Sequence, residues 1–122
     1  SSESQALHHK RQVALEAVEK NWRALDRDVD PEFKGDKEVV LKALEQSGCA
    51  IRLASLDLRG DKEVVLEAVR QDGEVLQYAS EGLRADREVV LAAVRKHGGA
   101  LQYAHEGLRA DKEVVLEAMR KG

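Results

Sequence analysis

Apolar residues along the chain fall into short clusters between polar stretches, and the clusters recur. The segment Asp-(Lys/Arg)-Glu-Val-Val-Leu-x-Ala begins at Asp36, Asp61, Asp86 and Asp111, each 25 residues after the last. A period of this length marks a tandem array whose units cannot bury their apolar faces alone. In the unit from Asp61 to Ala85, Asp61 stands where a helix N-cap belongs, and Glu63 falls in the first turn, where the helix dipole favours a carboxylate. Val64, Val65, Leu66, Ala68 and Val69 then make the helix apolar over more than half its circumference. Such a helix needs cover on more than one side. Gly73 is predicted to end it in the left-handed conformation that glycine adopts freely.

The pattern next predicts a shorter helix over Glu74 to Ser80, with Val75, Leu76 and Ala79 facing inward. Gly82-Leu83 reads as a Schellman turn, with Leu83 folding back toward Tyr78. Asp36–Gly60 and Asp86–Ala110 follow the same plan, with Asp57 in place of the second glycine in the earlier unit; Leu58, Leu83 and Leu108 are equivalent. A last helix runs from Lys112 to Lys121. The expected fold is all-α, an α-solenoid of stacked short helical hairpins. It forms a single domain over 1–122, with a degenerate capping unit at 1–35, regular repeats at 36–60, 61–85 and 86–110, and a closing helix at 111–122.

The first unit is irregular. Val13, Ala14, Leu15, Ala17 and Val18 match the apolar segment one residue out of register, and Lys10 stands where the capping Asp belongs. Nothing stops the helix upstream, so one longer helix is expected over residues 3–20, with Ser2 and Gln5 as a capping box. Pro31 should hold Asp30 out of the helical region and end the second helix of this unit.

Composition narrows the picture. The 122 residues are 35% charged and 43% hydrophobic, with only 3% aromatic. The core must therefore be Val, Leu and Ala. A net charge of −3 gives no pull toward nucleic acid or an anionic membrane surface. No apolar run approaches the roughly 18 residues that span a bilayer. The opening residues carry no secretory h-region. Cys49 is alone, which excludes an internal disulfide and suits a reducing compartment, so an intracellular location is expected.

The stretch Asp61-Lys-Glu-Val-Val-Leu-Glu-Ala-Val, followed by Gly73, Leu76-Gln-Tyr-Ala-Ser-Glu, Leu83 and Arg84, resembles the repeat of the DUF 4116 family. That family consists of tandem helical repeats with no assigned biochemical function. The resemblance is close over residues 36–121 and loose over 10–35. It implies an all-α array and supplies no catalytic or binding residues. Departures are Asp57 for glycine, Leu53 for tyrosine and the irregular first unit. Leu76–Ala79 and Leu101–Ala104 are nearly identical, as in a recently duplicated or consensus array.

Candidate chemistry is sparse. The acidic run Asp26-Arg-Asp28-Val-Asp30-Pro-Glu32 resembles the start of a calcium loop. It puts Pro31 and Lys37 where an EF-hand needs glycine and a bidentate glutamate, so a polar connection is the simpler reading. His97 and His105 flank one turn, but two ligands fall short of the four of structural zinc; His8 and His9 diverge by roughly 100° on a helix. Neither a cofactor nor a metal is expected. No nucleophile motif, phosphate loop or dinucleotide fingerprint appears, and polar positions that recur every 25 residues do not build the single convergence of unlike groups that catalysis requires. The chain is therefore not read as an enzyme.

Repetition does create ladders. Lys37, Lys62, Arg87 and Lys112 form a basic row beside the acidic row Glu38, Glu63, Glu88 and Glu113. The two rows should neutralise each other, with Glu38–Lys42 and Glu117–Lys121 as pairs within helices. Arg59, Arg84 and Arg109 form a third ladder, suited to an acidic partner or to helix-end carbonyls. Tyr78, Tyr103, Gln77 and Gln102 form a fourth, either a recognition surface or rings packed in the stack. Trp22 is expected to pack the end of the stack. The leading expectation is a scaffold that binds a protein or peptide. Alternatives are a structural spacer or regulatory segment, an array without a ligand and, remotely, a cation-binding protein acting through the Asp26–Glu32 run. Val114, Val115, Leu116 and Met119 suggest self-association through the last helix. Truncating Leu83 to Ala should cost about 2–4 kcal/mol in urea denaturation if Leu83 is a core residue.

Overall fold

The computed structural model describes residues 2–121. Ser2–Lys20 (α1) and the single turn Ala24–Arg27 (α2) come first, then a 3-10 turn at Pro31–Gly35. Three units follow, each a ten-residue helix, a six-residue 3-10 segment and a one-turn helix. They are Lys37–Gln46 (α3), Gly48–Leu53 and Leu56–Arg59 (α4); Lys62–Gln71 (α5), Gly73–Tyr78 and Glu81–Arg84 (α6); and Arg87–Lys96 (α7), Gly98–Tyr103 and Glu106–Arg109 (α8). Lys112–Lys121 (α9) is the last helix. No strand occurs among the described residues, and no helix there is long and apolar enough to cross a membrane.

Each long helix after α1 starts where an aspartate caps it. Asp61 Oδ1 accepts from the backbone N–H groups of Glu63 at 3.0 Å and Val64 at 3.3 Å, and Asp36 and Asp86 repeat the arrangement. At ten residues these helices fall below the roughly 12–15 at which an isolated helix becomes marginal, so packing must hold them. The helices α1, α3, α5, α7 and α9 pack each on the next, and the 3-10 segments form a second row packed among themselves. Val39, Val40, Ala43 and Leu44 of α3, and Val64, Val65, Ala68 and Val69 of α5, are fully buried in one continuous apolar core.

Backbone bonds tie the units together. The Ser55 N–H donates to the Lys34 carbonyl (2.8 Å), Ser80 to Arg59 (3.0 Å) and His105 to Arg84 (2.9 Å). Two glutamines add to this: Gln46 Nε2 donates to the carbonyls of Val18 (2.6 Å) and Glu19 (2.8 Å) at the end of α1, and Gln71 Nε2 to that of Leu44 in α3.

The second half of each unit differs from the sequence reading. The expected helix over Glu74 to Ser80 is a 3-10 segment that ends at Tyr78, and a new turn starts after Ser80, whose hydroxyl accepts from the Leu83 N–H at 3.4 Å. The reason lies in the spacing. Gly73, Leu76 and Ala79 are all buried and stand three apart, which suits three residues per turn; Gly48, Ile51 and Ala54 repeat this. No Schellman turn forms, because no residue among those described has a positive φ. Gly82 and Asp57 sit inside right-handed one-turn helices, and Leu83 enters the core from the helix itself.

Gly73 is glycine for a different reason. A Cβ there would lie 2.2 Å from the Ala93 carbonyl oxygen of α7, and one on Gly48 would lie 2.7 Å from that of Ala68 in α5. The glycine lets the backbone of one unit press against the long helix of the next.

The first unit keeps its long helix, which already includes Ser2, so the position flanking it falls on Ser1, outside the described residues. Ala14, Leu15 and Val18 are buried while Val13 is half exposed. Asp30 is out of the helical region (φ −57°, ψ 133°), as the following proline requires, but α2 has already ended at Arg27 and Pro31 opens a 3-10 turn instead. Trp22 is half-buried against the core; its backbone N–H donates to Gln46 Oε1 (2.8 Å), and the Arg23 guanidinium lies over its ring.

The two glycines should respond oppositely to alanine. Gly73→Ala should lower stability by about 1–3 kcal/mol, because the obstacle is backbone. Gly82→Ala, which meets nothing within 4 Å, should raise it by up to about 1 kcal/mol. Urea denaturation of the two variants checks both; a loss for Gly82→Ala would restore the left-handed turn.

Candidate functional site

The array has two polar surfaces. One follows the amino ends of the long helices. Lys37 Nζ lies 3.1 Å from Asp61 and 2.6 Å from Glu63; Lys62 lies 3.1 Å from Asp86 and 2.8 Å from Glu88; Arg87 lies 3.4 Å from Asp111 and 3.0 Å from Glu113. Arg11, one residue out of the period, takes this role in the first unit, bonding Asp36 at 2.6 Å and Glu38 at 2.5 Å. The basic and acidic rows thus neutralise one another between repeats. The expected Glu38–Lys42 pair gives way to this, Glu38 facing Arg11, while Glu117 meets Arg95 of the preceding long helix (3.6 Å) and, within its own helix, Arg120 (3.1 Å) in place of Lys121.

The capping carboxylates bind protons less readily than usual. For Asp36 the hydrogen bond from Arg11 is the chief cause. Partial burial pushes Asp61 and Asp86 upward, but Lys37 or Lys62 and the helix N–H groups outweigh it. Asp111 is lowered by the Val114 N–H and then by Arg87. The cations move the other way, Lys37 chiefly through Glu63 and Lys62 through Glu88.

The other surface lies along the 3-10 segments and one-turn helices. Its arginines are not equivalent. Arg59 is tied to carbonyls, Nε to Ala54 (3.2 Å) and Nη2 to Arg52 (2.6 Å). The side chains of Arg84 and Arg109 make no hydrogen bond or ion pair among the described residues, and Arg84 Nε is shut off from solvent without a partner. Both line an open groove of about 420 Å³ between the last two units, together with Gln102, Tyr103, His105, Glu81 and Glu106. The groove therefore gathers four of the residues singled out from sequence: Arg84, Arg109, Gln102 and Tyr103. Gln102 is held by its own turn, donating to the Gly99 carbonyl at 3.2 Å; Gln77 does the same to Glu74 at 3.1 Å. Tyr78 and Tyr103 are half-buried with their rings against the core. Arg59, Gln77 and Tyr78 lie outside this groove.

His105 was missed as a groove residue. It replaces Ser55 and Ser80 of the earlier units, and its Nδ1 accepts from the Gly107 N–H at 3.2 Å. An imidazole at a hydroxyl column was the available signal. His97 turns elsewhere, its Nδ1 accepting from the Gly73 N–H at 3.0 Å. In the acidic run, Asp30 caps its own turn through the Glu32 N–H (3.1 Å) and lies 3.8 Å from Lys10, while Asp26 lies 3.7 Å from Arg27. Among the described residues no three His, Cys, Asp or Glu side chains are placed to share a metal ion.

The model of a domain of unknown function, DUF4116, matches four overlapping segments: residues 10–59, 36–84, 61–109 and 86–122. The chain belongs to this family. No curated protein and no solved structure matches it. The four DUF4116 matches start at residue 10 and then at 36, 61 and 86, so the first interval is one residue longer than the others. Arg11 stands out of the period by that same residue.

The lowered caps of this DUF4116 array should contribute to its acid sensitivity. A carboxyl that binds protons more weakly folded than unfolded contributes fully above the ordinary range, around pH 4, and loses that contribution as the pH falls below it. Asp61→Asn/Asp86→Asn keeps two capping oxygens but removes the charge. Its stability should fall less between about pH 5 and pH 2 than the parent's. Parallel curves in thermal melts at pH 7 and pH 3 would show that these carboxylates do not carry the acid sensitivity.

Proposed function

We propose that the chain is a non-enzymatic interaction module that holds an extended segment of a partner protein in the groove between its last two units. The supporting observation is the state of Arg84. Its counterpart Arg59 is bonded to two carbonyls, whereas Arg84 and Arg109 face the groove without partners and Arg84 Nε is removed from water. The guanidinium N–H groups that line the groove can donate to a carboxylate or carbonyl of a bound segment. The half-buried Tyr103 ring beside them offers a rigid contact, and Glu81 and Glu106 give the same groove acceptors for backbone N–H groups or a cation. A volume near 420 Å³ accommodates a few side chains and no folded domain. Elsewhere in the array Lys37, Lys62 and Arg87 are held by carboxylates of the next repeat, and Arg59 and Gln77 by carbonyls of their own.

Peptide display against the immobilised chain tests this. Enriched peptides should share a carboxylate and bind Arg84→Ala/Arg109→Ala about tenfold or more weaker, a loss of roughly 1.4 kcal/mol or greater. Tyr103→Ala should weaken them as well, with the variants' melting temperatures close to the parent's. No enrichment, or equal binding by the arginine variant, would leave the array as a spacer without a ligand here.

A further inference from the structure

Neighbouring long helices meet along grooves, and the copies differ at one pair of facing positions. Arg95 of α7 reaches across to Glu117 of α9 at 3.6 Å. The equivalent positions one repeat earlier are Arg70 of α5 and Ala92 of α7, and one repeat before that Glu45 of α3 and Glu67 of α5. Of these three grooves only the middle one sets a cation opposite a side chain without a carboxylate. Arg70 instead turns back to Glu67 of its own helix at 3.9 Å and stays 58% exposed. Around it lies an open groove of about 380 Å³, lined by Leu66, Arg70, Glu88, Ala92, Arg95 and Lys96. Leu66 and Ala92 pack against the core and form an apolar floor. Lys96 makes no ion pair among the described residues, and the one carboxylate in the lining, Glu88, is held by Lys62 at 2.8 Å. Cations in the last turn suit the helix dipole, but that holds for Arg70 and Arg95 alike; the missing carboxylate is particular to this groove. Both walls are internal helices, α5 packed between α3 and α7, and α7 between α5 and α9.

We infer that the α5–α7 groove binds an acidic peptide segment of a partner protein, one of whose carboxylates meets Arg70 as Glu117 meets Arg95 in the next groove. Charge complementarity specifies this occupant. Lys96 receives a second acidic side chain, and the floor of Leu66 and Ala92 takes an apolar one, a contact that a small inorganic anion does not use. A continuous phosphate backbone fits less well, because the chain carries a net charge of −3 and Glu88 lines the same groove. The site shares no residue with the groove between the last two units and does not rest on the reading of that groove.

The probe is a fluorescein-labelled peptide of glutamates flanking one leucine, titrated with the full chain and read by fluorescence anisotropy at low salt, where exposed charges are least screened. Binding should saturate with a Kd below about 100 µM and weaken about tenfold or more with Arg70→Glu/Lys96→Glu. Ala92→Glu gives Arg70 the internal partner that Arg95 already has, and should weaken the peptide to a similar degree. The charge-matched Lys20→Glu/Arg27→Glu and the groove variant Arg84→Ala/Arg109→Ala should leave it unchanged. Circular dichroism reports whether each variant is folded; if Ala92→Glu is not, Arg70→Glu/Lys96→Glu against its charge-matched control decides alone. No binding by about 100 µM overturns the inference, as does binding indifferent to Arg70→Glu/Lys96→Glu or to a folded Ala92→Glu. An equal loss in the charge-matched control overturns it too, and so does single-stranded RNA of the same length bound as tightly, which would mark a general polyanion surface. A loss confined to Arg84→Ala/Arg109→Ala would place the peptide in the other groove, so the two proposals fail separately.

Discussion

The long helix of each regular unit is ten residues, and the structure depends on the contact between one such helix and the next. Helices of this length do not persist alone in water, so capping and stacking must act together. The aspartate at each junction joins the two. One oxygen of Asp61 accepts the helix N–H groups of Glu63 and Val64, while the other faces Lys37 of the preceding helix. Starting a helix and attaching it to its neighbour therefore use the same side chain. The exposed ion pairs are individually weak; most of the holding comes from the valines beneath them, and the charges fix which residue meets which.

Much of this was legible in the sequence. The period, the capping aspartates, the opposed charge rows and the long first helix all follow from residue type and spacing. The second half of each unit was not. Val75, Leu76 and Ala79 fit an α-helix as readily as a 3-10 segment at so short a length, and the buried triplet Gly73, Leu76 and Ala79 distinguishes them only once burial is known. The glycines misled because the usual reason for a glycine after a helix is a left-handed turn. Here it is clearance: the atom that excludes a side chain at Gly73 belongs to Ala93, twenty residues further on, which a local reading does not reach.

The groove was half legible. Its arginines, tyrosine and glutamine were named from their ladders, but repetition suggested that all members of a ladder behave alike. Arg59 and Arg84 do not: one is bonded to carbonyls and the other faces the groove. Arg84 lies at the junction with the last regular unit, where histidine replaces serine at position 105. In an array of near-identical parts, the places where the copies diverge hold the information about recognition.

The ties between units also govern how the chain forms. The backbone bonds from residues 55, 80 and 105 span 21 positions each, and the long-range side-chain bonds span no more than 28. Among the described residues nothing joins the first helix to the last. Contact order is therefore low, and folding advances by adding one unit to a formed neighbour rather than by closing a distant loop.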